Sequence, residues 1–181
     1  MKKEHILRSL FSTLFLILLG LFLILKLFFL DSRMVSSGSM EKTLLQGDYI
    51  ISWKLHFSDT GPEAKIPAGS GLHRQDILLL QLPGEREILI KRLIGLPGDT
   101  VEFLENGIAV NGQPLAEPYA APLPTPEKAV FYRVPAHSVF VLGDNRPASR
   151  DSRVFGFVDI TAVRGKVLFC YYPFDRWRWL G

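Results

Sequence analysis

From Leu10 to Leu30 the chain is apolar at nearly every position, with Lys26 its one charge. About 20 such residues are what a helix needs to cross the hydrocarbon core of a bilayer. Beyond that run the pattern changes to short apolar blocks separated by Gly, Pro, Asn and Asp. Residues 48–53 form a short β-rich block, and 54–75 read as an irregular excursion. Ile77 to Leu82 is apolar apart from Gln81 and ends at Pro83-Gly84, which predicts a buried strand and a turn. Glu87 to Ile94 is a second strand, joined to the first as a hairpin. Thr100 to Leu104 and Ile108 to Val110 flank Asn106-Gly107, a strong hairpin signal. Residues 113–128 carry Pro114, Pro118, Pro122, Pro124 and Pro126 and read as a surface loop. Val130–Val134, Ser138–Leu142 and Val163–Tyr172 complete the strands. The predicted fold is therefore mainly β: one N-terminal transmembrane helix, then an antiparallel β-sheet domain resembling a sandwich or barrel.

Charge orients the leader. Lys2, Lys3 and Arg8 precede the apolar run against one acid, Glu4. Positive flanks stay on the cytoplasmic side, so residues 1–9 are expected inside, 10–30 in the membrane and 31–181 outside. Lys26 lies near one end, where its stem can snorkel to the interface. A cleaved signal peptide is the rival reading, with Ser37-Gly38-Ser39 as a small-x-small site. The apolar run is longer than the usual 7–15 residues of such a segment, which favours an uncleaved anchor.

Composition narrows the chemistry. The formal charge of +3 is spread along the 181 residues with no Lys/Arg block, so a nucleic-acid partner is not expected. Fifteen Gly and 12 Pro argue against a helix bundle. The single cysteine, Cys170, lies in an apolar run and reads as a small buried hydrophobe. Four His, with no ligand-type spacing, predict no metal site.

Three polar segments stand out. Ser36-Ser37-Gly38-Ser39-Met40 crowds three hydroxyls around one glycine, just after the apolar run. On its own it reads as a juxtamembrane linker. In Ile88-Leu89-Ile90-Lys91-Arg92-Leu93-Ile94 strand alternation puts Lys91 on one face and Arg92 on the other, so one cation is expected inside and one outside. Lys91 either snorkels from an edge strand or is desolvated, loses proton affinity and becomes a base for a serine hydroxyl. With its ordinary pKa only about one lysine in 2,500 is neutral at pH 7, so burial would have to supply the difference. The third segment, Gly143 to Arg153, is dense in hydrogen-bonding groups; it is a solvated loop or one folded against the lysine strand.

Taken together, Lys91-Arg92-x-x-Gly95-x-Pro97-Gly98-Asp99 and Gly143-Asp144-Asn145-Arg146-x-x-Ser149-x-Asp151-Ser152-Arg153, with Ser39-Met40 upstream, resemble type I signal peptidases. These are membrane-bound Ser–Lys proteases that remove leader peptides from exported proteins. The resemblance covers the anchor, Ser37–Asp48, Gln75–Leu80, Ile90–Val101 and Val134–Val158. It implies Ser39 as nucleophile, Lys91 as general base and Ser37 as an oxyanion-hole hydroxyl beside the Ser39 N–H. It implies Ser149 as hydrogen-bond partner of the lysine, Asp151 and Arg153 as an ion pair beneath the site, Asp144 as a supporting acid and Met40 as a groove residue. No cofactor is implied. The implied partners are signal peptides of preproteins, membrane lipids and secretion machinery. The implied setting is a bacterial plasma membrane, crossed once, with the N-terminus cytoplasmic.

The chain departs from the family pattern in places. Ser36 and Lys42 stand where proline is usual, and Gln75 where glycine is favoured. Lys42 is expected to place a charge near the groove. The short interval between Lys91 and Gly143 leaves no room for the second domain of larger members. Two alternatives stay open: a specialised processing peptidase for a pilus or conjugation subunit, and a membrane-anchored binding protein that keeps an inactive protease fold.

Overall fold

The computed structural model describes residues 2–55, 57, 71–105, 107–122 and 130–181; along the N-terminal helix the side chains of 2–7, 9, 25 and 27 lie outside the description. The predicted roles of Lys2, Lys3 and Glu4, most of the 54–75 excursion, Asn106 and the latter part of the proline-rich loop fall outside the described residues.

Helix α1 spans Lys2–Phe28. Its described side chains from Leu10 to Ile24 are apolar at most positions, and the large apolar ones are exposed. Among the described residues no helix is long and apolar enough to cross a membrane. The strands are β1 Leu30–Met34, β2 Tyr49–Lys54, β3 Ile77–Leu80, β4 Leu89–Gly95, β5 Thr100–Leu104, β6 Gly107–Val110, β7 Gln113–Pro114, β8 Val130–Arg133 and β9 Ser138–Leu142. A short helix α2, Ser152–Phe155, then leads to β10 Val158–Asp159, β11 Val163–Tyr172 and β12 Arg178–Trp179. The larger sheet runs β1-β2-β11-β3-β4-β9-β10, with β12 beside β11; the smaller runs β7-β6-β5-β8. Every pairing is antiparallel, in agreement with the sequence reading.

One hairpin differs from expectation. The proline-rich loop starts with a strand, because Asn111 and Gly112 both take positive φ, 54° and 74°. Two left-handed residues in a row close the tight turn that matches strand twist, and β7 pairs back on β6 through Val110↔Gln113 and Ala109↔Pro114. Pro114 is tolerated because β7 is the edge of its sheet.

The core explains why β4 carries buried charge. Leu93 packs with Leu78, Leu80, Val139 and Val141. Ile90 packs with Met40, Leu44, Ile77 and Leu79, and Ile94 joins Val101, Phe140 and Leu142. Strand β4 thus lies inside the larger sheet, covered on both faces. Lys91 pairs with β3 but lies short of the β9 pairing, yet it does not snorkel to solvent, and the split of one cation in and one out does not hold. Lys91 is 2% exposed and Arg92 6%.

Candidate active site

The site is built on a turn that the core pulls inward. Val35 is fastened to the Asp48 loop at both ends of its peptide, its N–H donating to the Asp48 carbonyl at 2.7 Å and its carbonyl accepting from Gly47 at 2.9 Å. Ser37 is extended, and Gly38–Met40 close a 3-10 turn. Met40 and Leu44 drop into the apolar core, which leaves Ser39 at the top of the turn, 7% exposed. Met40, expected as a groove residue, is wholly buried.

Lys91 Nζ donates to Ser39 Oγ at 2.6 Å, and Ser37 Oγ lies 3.2 Å from Ser39 Oγ. Burial pushes the Lys91 amine down from its ordinary 10.5 to about 8; Asp151 and Asp144 pull it back up, and Arg150 lowers it further. The burial effect wins because an ammonium deep in a β domain loses water that two distant carboxylates cannot replace. About one molecule in ten then carries a neutral amine at pH 7. A hydroxyl bonded to such an amine is equipped to give up its proton during acyl transfer.

Arg92, on the opposite face of β4, is neutralised rather than solvated. Its Nε and Nη2 donate to the two Asp144 carboxylate oxygens at 2.8 and 2.6 Å, and Nη1 donates to the Gln75 carbonyl at 2.7 Å. A buried pair of this kind needs every donor satisfied to offset its desolvation. Thr43 Oγ1 accepts a further, longer bond from Nη2 at 3.3 Å, and the Tyr119 ring lies 3.7 Å from Arg92 Cζ.

The loop after β9 folds against the serine turn and is not solvated. Asn145 N–H donates to the Ser39 carbonyl at 3.0 Å. Asn145 Nδ2 donates to the Gly38 carbonyl at 3.1 Å and to Glu41 at 2.9 Å. Gly143 has to be glycine: a Cβ there would press on Ser149 Oγ and lie 2.5 Å from the Ser39 carbonyl. Asp151 and Arg153 form the expected ion pair at 2.8 Å. Asp151 also accepts from the Gly143 N–H at 3.0 Å and from the Arg153 N–H that opens α2. Burial works to raise the Asp151 carboxyl, but Arg153 and the Gly143 N–H outweigh it and hold it below the usual range. Ser149 Oγ is buried beside Gly143 and makes no hydrogen bond to Lys91.

Lys42 does not point its charge into the groove. Its backbone φ is +79°, and its Nζ donates to the Ala120 carbonyl at 3.2 Å. Gln75 has φ +76°, which accounts for the glycine usual at that position. A cleft of about 700 Å³ opens beside Ser36, lined by Ile88 and Ile90 on one wall and reaching Arg33, Arg86 and Glu87. Among the described residues no group of His, Cys, Asp or Glu is placed to hold a metal ion. Sequence reasoning missed Asn145, Thr43, Glu117 and Tyr119 as partners of the site. Asn145 stood inside a quoted motif; Glu117 and Tyr119 were hidden in a segment read only as proline-rich loop.

A serine hydroxyl in contact with a buried amine on a β domain is the equipment of a hydrolytic acyl-transfer enzyme. The family described as "Signal peptidase, peptidase S26" matches residues 7–172. A signal peptidase I of Bacillus caldolyticus is 37% identical over 165 residues, 84% of this chain and 85% of the relative. A probable signal peptidase I-1 of Synechocystis sp. is 38% identical over 169 residues, 93% of this chain and 84% of the relative. A crystal structure of a signal peptidase I from Enterococcus faecalis is 36% identical with a TM-score of 0.46, covering 52% of this chain and 95% of that one. The chain belongs to the S26 signal peptidase family and is a serine peptidase.

Proposed function

We propose that this protein removes signal peptides from exported preproteins with a Ser39–Lys91 dyad, while anchored in the bacterial plasma membrane by residues 10–30 with its N-terminus inside. The observation that carries the reading is the 2.6 Å bond from Lys91 Nζ to Ser39 Oγ, in a chain of this family. Neutral Lys91 takes the Ser39 proton as Oγ bonds to the scissile carbonyl carbon. Ser37 Oγ and the Ser39 N–H steady the oxyanion. The C–N bond breaks as Lys91 returns the proton to the leaving amine. Water then attacks the ester by the same base and frees Ser39. An extended peptide has an edge to lie on: β9 pairs with β4 only from Arg92 onward, so Leu89–Lys91 have no strand partner on that side. Asp144, Asp151 and Arg153 hold the floor of the site. The intact Ser39–Lys91 contact weighs against an inactive binding protein.

Chain length supports placement at the membrane. Strand β1 begins at Leu30, two residues after α1 ends, and Leu30 to Ser39 spans at most about 30 Å even fully extended. The exposed apolar side chains of α1 supply the anchor. Lipid headgroups and the secretion machinery are the neighbours this placement implies. The test is to incubate the full chain in detergent with a preprotein and sequence the new N-terminus. Cleavage after a small residue, lost in Ser39→Ala and in Lys91→Ala, is the expected result; cleavage that survives either change overturns the dyad.

A further inference from the structure

Segment 115–121, between β7 and the proline-rich stretch, is tied to the site at five points. Gln75 Nε2 donates to the Ala116 carbonyl at 3.2 Å. Arg146 donates to both Glu117 carboxylate oxygens, at 2.5 and 3.3 Å. The Tyr119 ring covers Arg92 at 3.7 Å. Lys42 Nζ donates to the Ala120 carbonyl, and the Ala121 N–H donates to the Asp144 carbonyl at 2.8 Å. The Tyr119 hydroxyl also donates to Glu117 at 3.3 Å.

These ties converge one step behind the reacting groups. Arg92 follows Lys91 on β4. Asp144 and Arg146 bracket Asn145, whose N–H and side chain hold the carbonyls of Ser39 and Gly38. Arg146 also donates to the Gly143 carbonyl at 2.9 Å, at the start of the same loop. The segment has little apolar reason to lie where it does, since Leu115 is its one side chain packed on a hydrophobic core. Its position is set by polar and cation–aromatic contacts. A guanidinium stacked on a ring and paired bidentately on its edge has neither tilt nor rotation left to it. Fixing Arg92 fixes Asp144, and through Asn145 the height of Ser39 against Lys91.

We propose that Tyr119 and Glu117 are positioning residues for the hydrolysis assigned above, holding the 143–146 loop so that Ser39 and Lys91 stay in register. The inference rests on that functional reading. Displacing reacting atoms by about 1 Å costs on the order of 10²-fold. Tyr119→Leu in the full-length detergent-solubilised enzyme should therefore lower kcat about 10- to 10²-fold on a preprotein, with KM within about twofold. Tyr119→Phe keeps the ring over Arg92 and should restore kcat to within about twofold. Glu117→Gln should lower kcat in the same direction with KM unchanged. Assays run below the melting temperature of every variant, so that only folded enzyme is compared. Wild-type kcat in folded Tyr119→Leu, or equal losses in the Leu and Phe variants, overturns the proposal. Should Tyr119→Leu not fold, wild-type kcat in folded Glu117→Gln overturns it instead. A wild-type enzyme that cleaves no preprotein fails the functional reading itself, a distinct result.

Discussion

Lys91 Nζ and Ser39 Oγ, 52 positions apart in the chain, meet at 2.6 Å inside the β domain. Because burial lowers the amine to about 8 from 10.5, kcat on a preprotein should rise with pH through about 8 and then level. A rate that falls steadily from pH 6 to 9 contradicts the assignment.

The same shift has a stability sign. Below pH 8 both states hold the proton and the full penalty of about 3 kcal/mol stands. Between pH 8 and 10.5 the unfolded chain binds more protons, so stability rises with pH. Above 10.5 both states are neutral and the penalty is gone. Lys91→Met should be inactive yet more stable than wild type at pH 7, by up to about 3 kcal/mol. Urea titrations should show that gap closing as pH approaches 10.5.

Ser37→Ala should fold normally and lose roughly 10²–10³ in kcat, the scale of one oxyanion donor. Among the described residues its hydroxyl reaches only Ser39 Oγ, at 3.2 Å, a contact within the site itself. An unchanged kcat in steady-state assays removes Ser37 from the oxyanion hole.

Gly143→Ala forces a methyl against Ser149 Oγ and the Ser39 carbonyl. Overpacking of this kind costs about 1–3 kcal/mol, and here the relief displaces the nucleophile turn. Thermal melts should show that loss, with kcat falling while KM changes little. A variant with wild-type kcat would mean that the loop moves without carrying Ser39 along.

Proline at position 42, usual in the family, does not suit this backbone. Proline needs φ near −65°, and Lys42 sits at +79°. Lys42→Pro should destabilise by more than about 1 kcal/mol. Lys42→Gly and Gln75→Gly each remove a left-handed penalty of about 1–2 kcal/mol against a smaller chain-entropy cost. Each should therefore raise the denaturation midpoint slightly. A stable Lys42→Pro protein would show the turn to be freely rebuilt.

The C-terminal tail should read the membrane. β12 pairs with β11 through Phe169↔Trp179, yet Trp177 and Trp179 are each 66% exposed and Phe174 81%. Aromatic side chains of this type settle at the headgroup level. Anionic vesicles should blue-shift the tryptophan emission of residues 31–181 expressed without the leader, provided circular dichroism shows that fragment folded. Emission unmoved by vesicles would leave the tail with only its packing role.

The chain sequence by itself determined the elements and the chemistry within reach of local pattern. The uninterrupted run at 77–80, the Pro83-Gly84 turn and the β5–β6 hairpin follow from steric preference and alternation, which act over a few residues. The segments around Ser39, Lys91 and Gly143 were legible because each concentrates unusual residue types at fixed spacing. Tertiary structure decided what no local rule encodes. Burial of both Lys91 and Arg92 depends on the serine turn and the Asp144 loop closing over β4, which is a property of tertiary contact. Met40 goes into the core because the turn beneath Ser39 faces Ile77 and Leu79. Lys42 turns to Ala120 because its backbone is left-handed. Tyr119 and Glu117 reach Arg92 and Arg146 because two sheets bring a proline-rich segment across the site. Desolvation and pairing of charge are set by what surrounds a side chain in space, and that is decided only when distant strands close on one another.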